Sequence, residues 1–231
     1  MNKISKNSRN RKNNRGTTLV EMIVAFALLA VFLASAASII GTVSTMYYQI
    51  KSETYSKQVS DIILEKLSSE ISGAMYFTHT DIGNPIILDE EGEISETGIG
   101  KTIELYDKTN THISISADTD AGILLLHYYE IDISHKIDDE LVEINYGEKN
   151  WGFQDSIYNE YRIADLTFVR GDSLGDFTEI GKYGLSSSGS YGNDVIVVFL
   201  KLHSTKYEDY YTYRFIKMYN VPATPTTGQN E

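Results

Sequence analysis

Arg15-Gly16-Thr17-Thr18-Leu19-Val20-Glu21-Met22 opens the stretch on which the reading of this chain turns. From residue 22 to residue 50 nothing is charged, and 22–41 is apolar except for Ser35 and Ser38. About twenty such residues at ~1.5 Å rise make ~30 Å of helix, the thickness of a bilayer's hydrocarbon core. Glu21 stands at the lip of that run. A charge at the centre of a membrane helix costs on the order of 2.5–3.5 kcal/mol, and less near the edge. Glu21 is therefore either a flanking residue or a carboxylate that awaits a partner.

Charge is unevenly spread over the 231 residues. Residues 1–16 hold Lys3, Lys6, Arg9, Arg11, Lys12 and Arg15 and no acid, leaving 14 basic groups against 32 acidic ones, a net of −18 over residues 17–231. A basic segment before an apolar helix marks the cytoplasmic side, so the acidic remainder is expected outside the membrane. There is no cysteine. Disulfides, thiol chemistry and zinc–thiolate sites are thereby excluded, and the outer domain must be held by its core alone.

Three templates fit the apolar run. A secretory signal peptide would use 22–33 as its apolar region and Ala34-Ser35-Ala36 as its cleavage site. A plain signal anchor would simply stay attached. The third is carried by Gly16-Thr17-Thr18-Leu19-Val20-Glu21 followed by Met22-Ile23-Val24-Ala25, which resembles the signal of type IV pilins and pseudopilins. That resemblance implies that a prepilin peptidase cuts between Gly16 and Thr17 and methylates the new amine of Thr17. Glu21 then becomes the fifth residue of the mature chain, as the family requires. Thr17 departs from the family's usual first residue, Phe. Glycine gives a peptidase open access to the backbone, since no Cβ stands in the way. The freed ammonium and a carboxylate ~4 Å away attract by ~4 kcal/mol at an effective dielectric near 20. Paired across subunits, that contact would fix the axial register of an assembly.

The helix is expected to continue. Residues 42–75 contain no proline, and Gly73 is their only glycine. Val59, Ile62, Ile63, Leu67 and Ile71 have the spacing of one helical face, with Glu65, Lys66 and Glu70 largely on the others. Gly41 is the one weak point. From residue 76 the period changes to alternating and short apolar runs, with strands expected at 85–88, 102–106, 112–117, 122–131, 141–146, 162–170, 195–203 and 210–219. The last two make the clearest hairpin. Residues 89–93 and the glycine-rich 171–192 read as loops. The fold class is therefore α+β: a long N-terminal helix packed on a mostly antiparallel sheet headgroup, as in the lollipop-shaped pilins. The divisions are a removed leader, 1–16; a helix, 17–75, transmembrane to about 43 and then amphipathic; a β-rich extracytoplasmic headgroup, 76–220; and a tail, 221–231.

Little else carries chemistry. His79, His112, His127, His135 and His203 show no metal-binding spacing, the serines at 186–188 and 190 lack a nucleophile elbow, and His127 reads as a strand residue. No enzyme is expected and no catalytic residue is assigned. Asp118-Thr119-Asp120, Asp138-Asp139-Glu140 and Asp172 with Asp176 offer oxygens to a hard cation but match no EF-hand loop, so no cofactor is assigned and calcium is the sole candidate. Lys201, Lys206, Arg214 and Lys217 could form a basic strip, although the acidic balance opposes phosphate contacts and direct nucleic-acid binding is not expected. The leading expectation is a structural subunit, a minor pilin or pseudopilin of a type IV, competence or type II secretion-like filament. Its partners would be other pilin or pseudopilin subunits, the prepilin peptidase, the assembly platform and motor, and the membrane. The competing expectation is a membrane-anchored or secreted binding domain with a conventional signal.

Overall fold

The computed structural model describes residues 18–74, 86–106, 112–129, 149–185 and 191–219, with the backbone alone at 136–137 and 140–141. The chain divides into two compact units, Met1–Gln49 and Ile50–Glu231. The leader 1–16, Gly16, Thr17, His79, His135, residues 142–146 and the tail 221–231 lie outside the described residues, as do the side chains of Asp138, Asp139 and Glu140.

One α-helix, α1, runs Leu19–Gly73 without a break. It passes Gly41 because nothing there competes with the helical ladder: Thr45 Oγ1 donates back to the Gly41 carbonyl at 3.1 Å, as Thr42 does to Ser38 and Ser35 to Val31. Such bonds satisfy hydroxyls that have no water to turn to in hydrocarbon. In the first unit every large apolar side chain of the helix is exposed, Phe32 at 68 %. By length and composition this helix can cross a membrane, and it is the one such helix among the described residues.

Within Ile50–Glu231 the same helix becomes one-sided. Ser56, Val59, Ser60, Ile63, Leu64, Leu67 and Ile71 are buried, while Ile62 stays 41 % exposed on the far side. The strands that follow are β1 (Ile86–Leu88), β2 (Ile99–Gly100), β3 (Thr102–Tyr106), β4 (His112–Asp118), β5 (Ile123–Tyr129), β6 (Lys136–Ile137), β7 (Glu140–Leu141), β8 (Lys149–Trp151), β9 (Arg162–Arg170), β10 (Val195–His203) and β11 (Tyr210–Lys217), with a one-turn helix α2 (Asp155–Tyr158) before β9. They form a five-stranded sheet ordered β1-β3-β4-β5-β8, a four-stranded sheet ordered β11-β10-β9-β2, and the pair β6-β7. Every strand pairing among the described residues is antiparallel. The α+β architecture expected from the sequence is thus present, with its sheet divided in two.

Alternation sorts the side chains. Ile103, Leu105, Ile113, Ile115, Leu124 and Leu126 of the larger sheet share one core with the stripe of α1 and with Ile196, Val198, Leu200 and Leu202 of β10. Val197 and Phe199, pointing the other way, join Val169 in a second cluster. That cluster corrects the reading of 171–192 as a loop. Two 3-10 turns, Gly171–Asp176 and Ile180–Tyr183, lay Leu174, Phe177 and Tyr183 over the outer face of the smaller sheet. Six glycines disguise a lid of apolar side chains. Burial, then Asp165 and Glu179, pushes the Tyr183 hydroxyl far above the usual tyrosine range.

Ties along α1 position it on the sheets. Ser52 Oγ lies 2.8 Å from the Tyr161 hydroxyl. Further on, Glu70 accepts from Lys66 and from the Tyr128 hydroxyl, and the Lys66 ammonium sits 4.5 Å from the Trp151 ring centre. At the helix end the Tyr219 N–H reaches the Ser72 carbonyl at 3.5 Å. Leu67, fully buried at the centre of the stripe, is the sensitive point: Leu67→Ala should cost ~2–5 kcal/mol, read from chemical denaturation of the detergent-solubilised chain. At Gly100 an added Cβ would lie 1.9 Å from the Leu88 carbonyl oxygen, so Gly100→Ala should lower the melting temperature although glycine is replaced by a better strand former.

Candidate functional site

Glu21 stands in the first turn of α1. Its Oε2 accepts the backbone N–H of Thr18 at 2.8 Å and the Thr18 hydroxyl at 3.2 Å. In return the Glu21 N–H donates to Thr18 Oγ1 at 3.3 Å, and the Met22 N–H donates to the Thr18 carbonyl. This is a capping box: a threonine at the N-cap and a glutamate three residues on satisfy each other's orphan donors. The carboxylate also lies at the positive end of the helix dipole. Among the described residues Oε1 accepts no hydrogen bond. The side chain commits Oε2 to its own helix and leaves Oε1 without a partner among the described residues.

Sequence reasoning assigned the site to Gly16, Thr17 and Glu21 and passed over Thr18. The cleavage pair lies outside the described residues, so of that set the structure places Glu21 alone. Thr18 was legible, because Thr-x-x-Glu ahead of an apolar run is the sequence signature of this cap.

The family comparison bears on the same turn. Residues 11–37 match the model of the prokaryotic N-terminal methylation motif. The chain carries the type IV pilin and pseudopilin signal. Comparison with curated proteins and with solved structures returned no match. The pilin signal spans the basic end of the leader, the Gly16–Thr17 bond, the Thr18–Glu21 cap and the start of the apolar helix. Together with the α+β fold and an apolar N-terminal helix long enough to cross a membrane, it supports a type IV pilin-like or pseudopilin subunit.

The other sequence candidates have local roles. Asp118 Oδ1 accepts the N–H groups of Asp120 and Ala121, which tightens the β4–β5 turn. Asp172 Oδ1 pairs with Arg170 Nε at 2.6 Å and accepts from Ser173. Among the described residues no three His, Asp or Glu side chains are grouped to hold a metal ion. His127 is a strand residue, its ring centre 4.2 Å from that of Tyr129. His112, stacked between Tyr106 and Tyr129, has Nε2 3.3 Å from Glu104.

The basic strip near the last hairpin is matched with acids group by group. Lys201 faces Asp209, Lys206 faces Glu160, Arg214 faces Asp61 and Lys217 faces Asp194. Asp209 also receives His203 Nδ1 at 2.7 Å, and this hydrogen bond, with Lys201, holds its carboxyl below the usual aspartate range. A depressed folded pKa adds stability above the unfolded pKa, and that contribution is lost as the pH falls through the folded value. Asp209→Asn should therefore cost less than ~1 kcal/mol at neutral pH, and the difference from wild type should shrink in acid, as followed by denaturation at graded pH.

Thr18→Val removes the hydroxyl and keeps the shape. It should weaken the first turn by ~0.5–2 kcal/mol and speed amide exchange at residues 19–22, whereas Thr18→Ser should leave exchange near wild type.

Proposed function

We propose that this chain is a minor pilin or pseudopilin, cut between Gly16 and Thr17, methylated on the Thr17 amine and assembled through α1. The observation that carries this reading is the matched signal at 11–37 with Glu21 capping the helix it begins. The family whose signal it bears consists of structural subunits, and no catalytic role is assigned to any residue.

The geometry of the cap supports a role for Glu21 in register. After cleavage Thr17 carries an ammonium one residue before the N-cap. With Oε2 held by Thr18, Glu21 can turn its second oxygen to an ammonium without surrendering its own cap. At the edge of hydrocarbon an unpaired ammonium and an unpaired carboxylate are both costly. A neighbour shifted axially so that its amine meets Glu21 relieves both at once. The cap also removes χ freedom from Glu21 before assembly, which lowers the entropic cost of forming the contact.

The basic leader supports a cytoplasmic N-terminus, with the sheets on the far side of the membrane until the subunit is drawn into a filament. Partners follow in order: the prepilin peptidase at Gly16, the assembly platform and motor during extraction, and other pilin-like subunits afterwards. The filament would be a type IV pilus, a competence pilus or a type II secretion-like fibre. A conventional signal peptide cut after Ala36 would sever α1 within its continuous span, so that reading is not favoured.

Mass spectrometry of the mature N-terminus decides between the two. A start at Thr17, ~14 Da heavier when methylated, supports this function, and a start at Ala37 overturns it. Glu21→Ala should still be cleaved at Gly16, and its share of sheared filaments should fall at least ~tenfold, the loss expected from ~1.4 kcal/mol of contact energy. Normal incorporation of that variant would remove the register role.

A further inference from the structure

The outward edge of β11 carries a row of backbone groups whose orientation is fixed by two observations. In the β10–β11 register Leu202 faces Tyr210 and Val195 faces Lys217. One step further, the Met218 N–H donates to the Asp194 carbonyl at 2.8 Å. Bonded and non-bonded pairs alternate along an antiparallel ladder. Tyr210, Thr212, Arg214 and Ile216 therefore exchange their bonds with β10, whereas Tyr211, Tyr213, Phe215 and Lys217 turn their N–H and C=O groups away from it. The second observation agrees: Tyr219, of the same parity, sends its N–H to the Ser72 carbonyl of α1. Beyond that bond the outward groups continue at ~6.8 Å intervals with no backbone partner among the described residues.

Native sheets blunt such an edge with proline, a bulge, charged side chains or a very short strand, or cover it with a helix or loop. Of these, β11 carries only the two cations Arg214 and Lys217, and beyond Tyr219 no described residue pairs with its outward backbone groups. It is eight residues long and holds no proline, and the bulge seen among the described residues of its sheet lies between β10 and β9 at Lys201/Leu202. Its cations are engaged, Arg214 with Asp61 and Lys217 with Asp194. The other edges of the two large sheets, β1, β8 and β2, have three, three and two residues.

Resting on the assembly reading above, we infer that β11 is a strand-addition site for an extended headgroup segment of a neighbouring pilin-like subunit. A row of free N–H and C=O groups recognises a polypeptide backbone. The occupant follows from continuity with the assembly helix. Asp61 and Ser72 of α1 border this edge, and Ile62 and Glu65 beside them are exposed. A subunit that packs on this side of α1 comes to lie along β11. The aromatic row Tyr211, Tyr213 and Phe215, with Tyr191 against Phe215 at 4.8 Å, gives the incoming strand an apolar flank.

The test compares the full-length subunit in detergent micelles with the same subunit in sedimented filaments. Amide exchange at Tyr211, Tyr213 and Phe215 should be fast in micelles and slow by roughly tenfold or more in filaments, while Thr212 and Arg214 stay protected in both. Lys217→Pro deletes one outward donor, with Lys217→Ala as the control for the lost Asp194 pair. Incorporation of Lys217→Pro should fall roughly three- to tenfold below that of Lys217→Ala, with the mature N-terminal mass unchanged. Equal incorporation of the two variants, or outward amides as fast in filaments as in micelles, overturns the inference and leaves the assembly reading standing. Outward amides already slow in the isolated subunit also overturn it, since a segment of the same chain then covers the edge. A wild-type chain that does not start at Thr17 and does not enter filaments overturns the assembly reading, and this inference with it.

Discussion

Burial of one stripe of α1 is the interaction on which the headgroup depends. Val59, Ile63, Leu64, Leu67 and Ile71 reach into a core supplied by both large sheets. Each fully buried aliphatic side chain is worth ~1.5–3 kcal/mol, so removing the helix would leave both inner faces open to water. The same helix has no such preference from residue 22 to 41, where it is apolar on every side except for Ser35 and Ser38. Two solvents therefore act on one secondary-structure element, and its sequence changes period where its surroundings change. An all-apolar surface suits lipid or neighbouring helices, and a striped one suits a sheet.

How much of this was written in the sequence depended on how local the cause was. Strands β3, β9 and β10 fall at 102–106, 162–170 and 195–203 as their apolar patterns predict: β3 alternates because one face is buried, and β10, buried on both faces, reads as a continuous apolar run. Strand β2 left no such trace. Its two residues pair with β9 because Gly98, at φ +67°, turns the chain and Gly100 lets it pass close to Leu88. The cover at 171–185 was misread for a related reason. Leu174, Phe177 and Tyr183 keep no regular spacing, and the sheet they face is assembled from strands on both sides of them in sequence. The division into two sheets was equally hidden, since it is decided by which strand edges meet.

The functional turn shows the opposite case. Glu21 stood out because a charge at the lip of an apolar run is expensive, yet that argument treats the carboxylate as isolated. The structure gives it a partner on its own chain, because Oε2 accepts both the N–H and the hydroxyl of Thr18. The cost that made Glu21 conspicuous is thereby reduced before any neighbour arrives. A site of this kind is carried by two side chains within four residues of sequence and needs no tertiary contact to form. That is why its motif is recognisable over residues 11–37 even though the chain matched no curated protein and no solved structure.

The ties between α1 and the sheets have a mechanical meaning. Ser52 to Tyr161, Lys66 and Glu70 to Tyr128 and Trp151, Asp61 to Arg214 and Ser72 to Tyr219 are spread along about twenty residues of helix, on both flanks of the buried stripe. A pull along the helix axis loads them together in shear, where no one of them can part before the others stretch. The same bonds arranged at one end of the helix would peel apart singly. Placed as they are, they let a small headgroup without disulfides carry tension in proportion to the length of its contact with the helix.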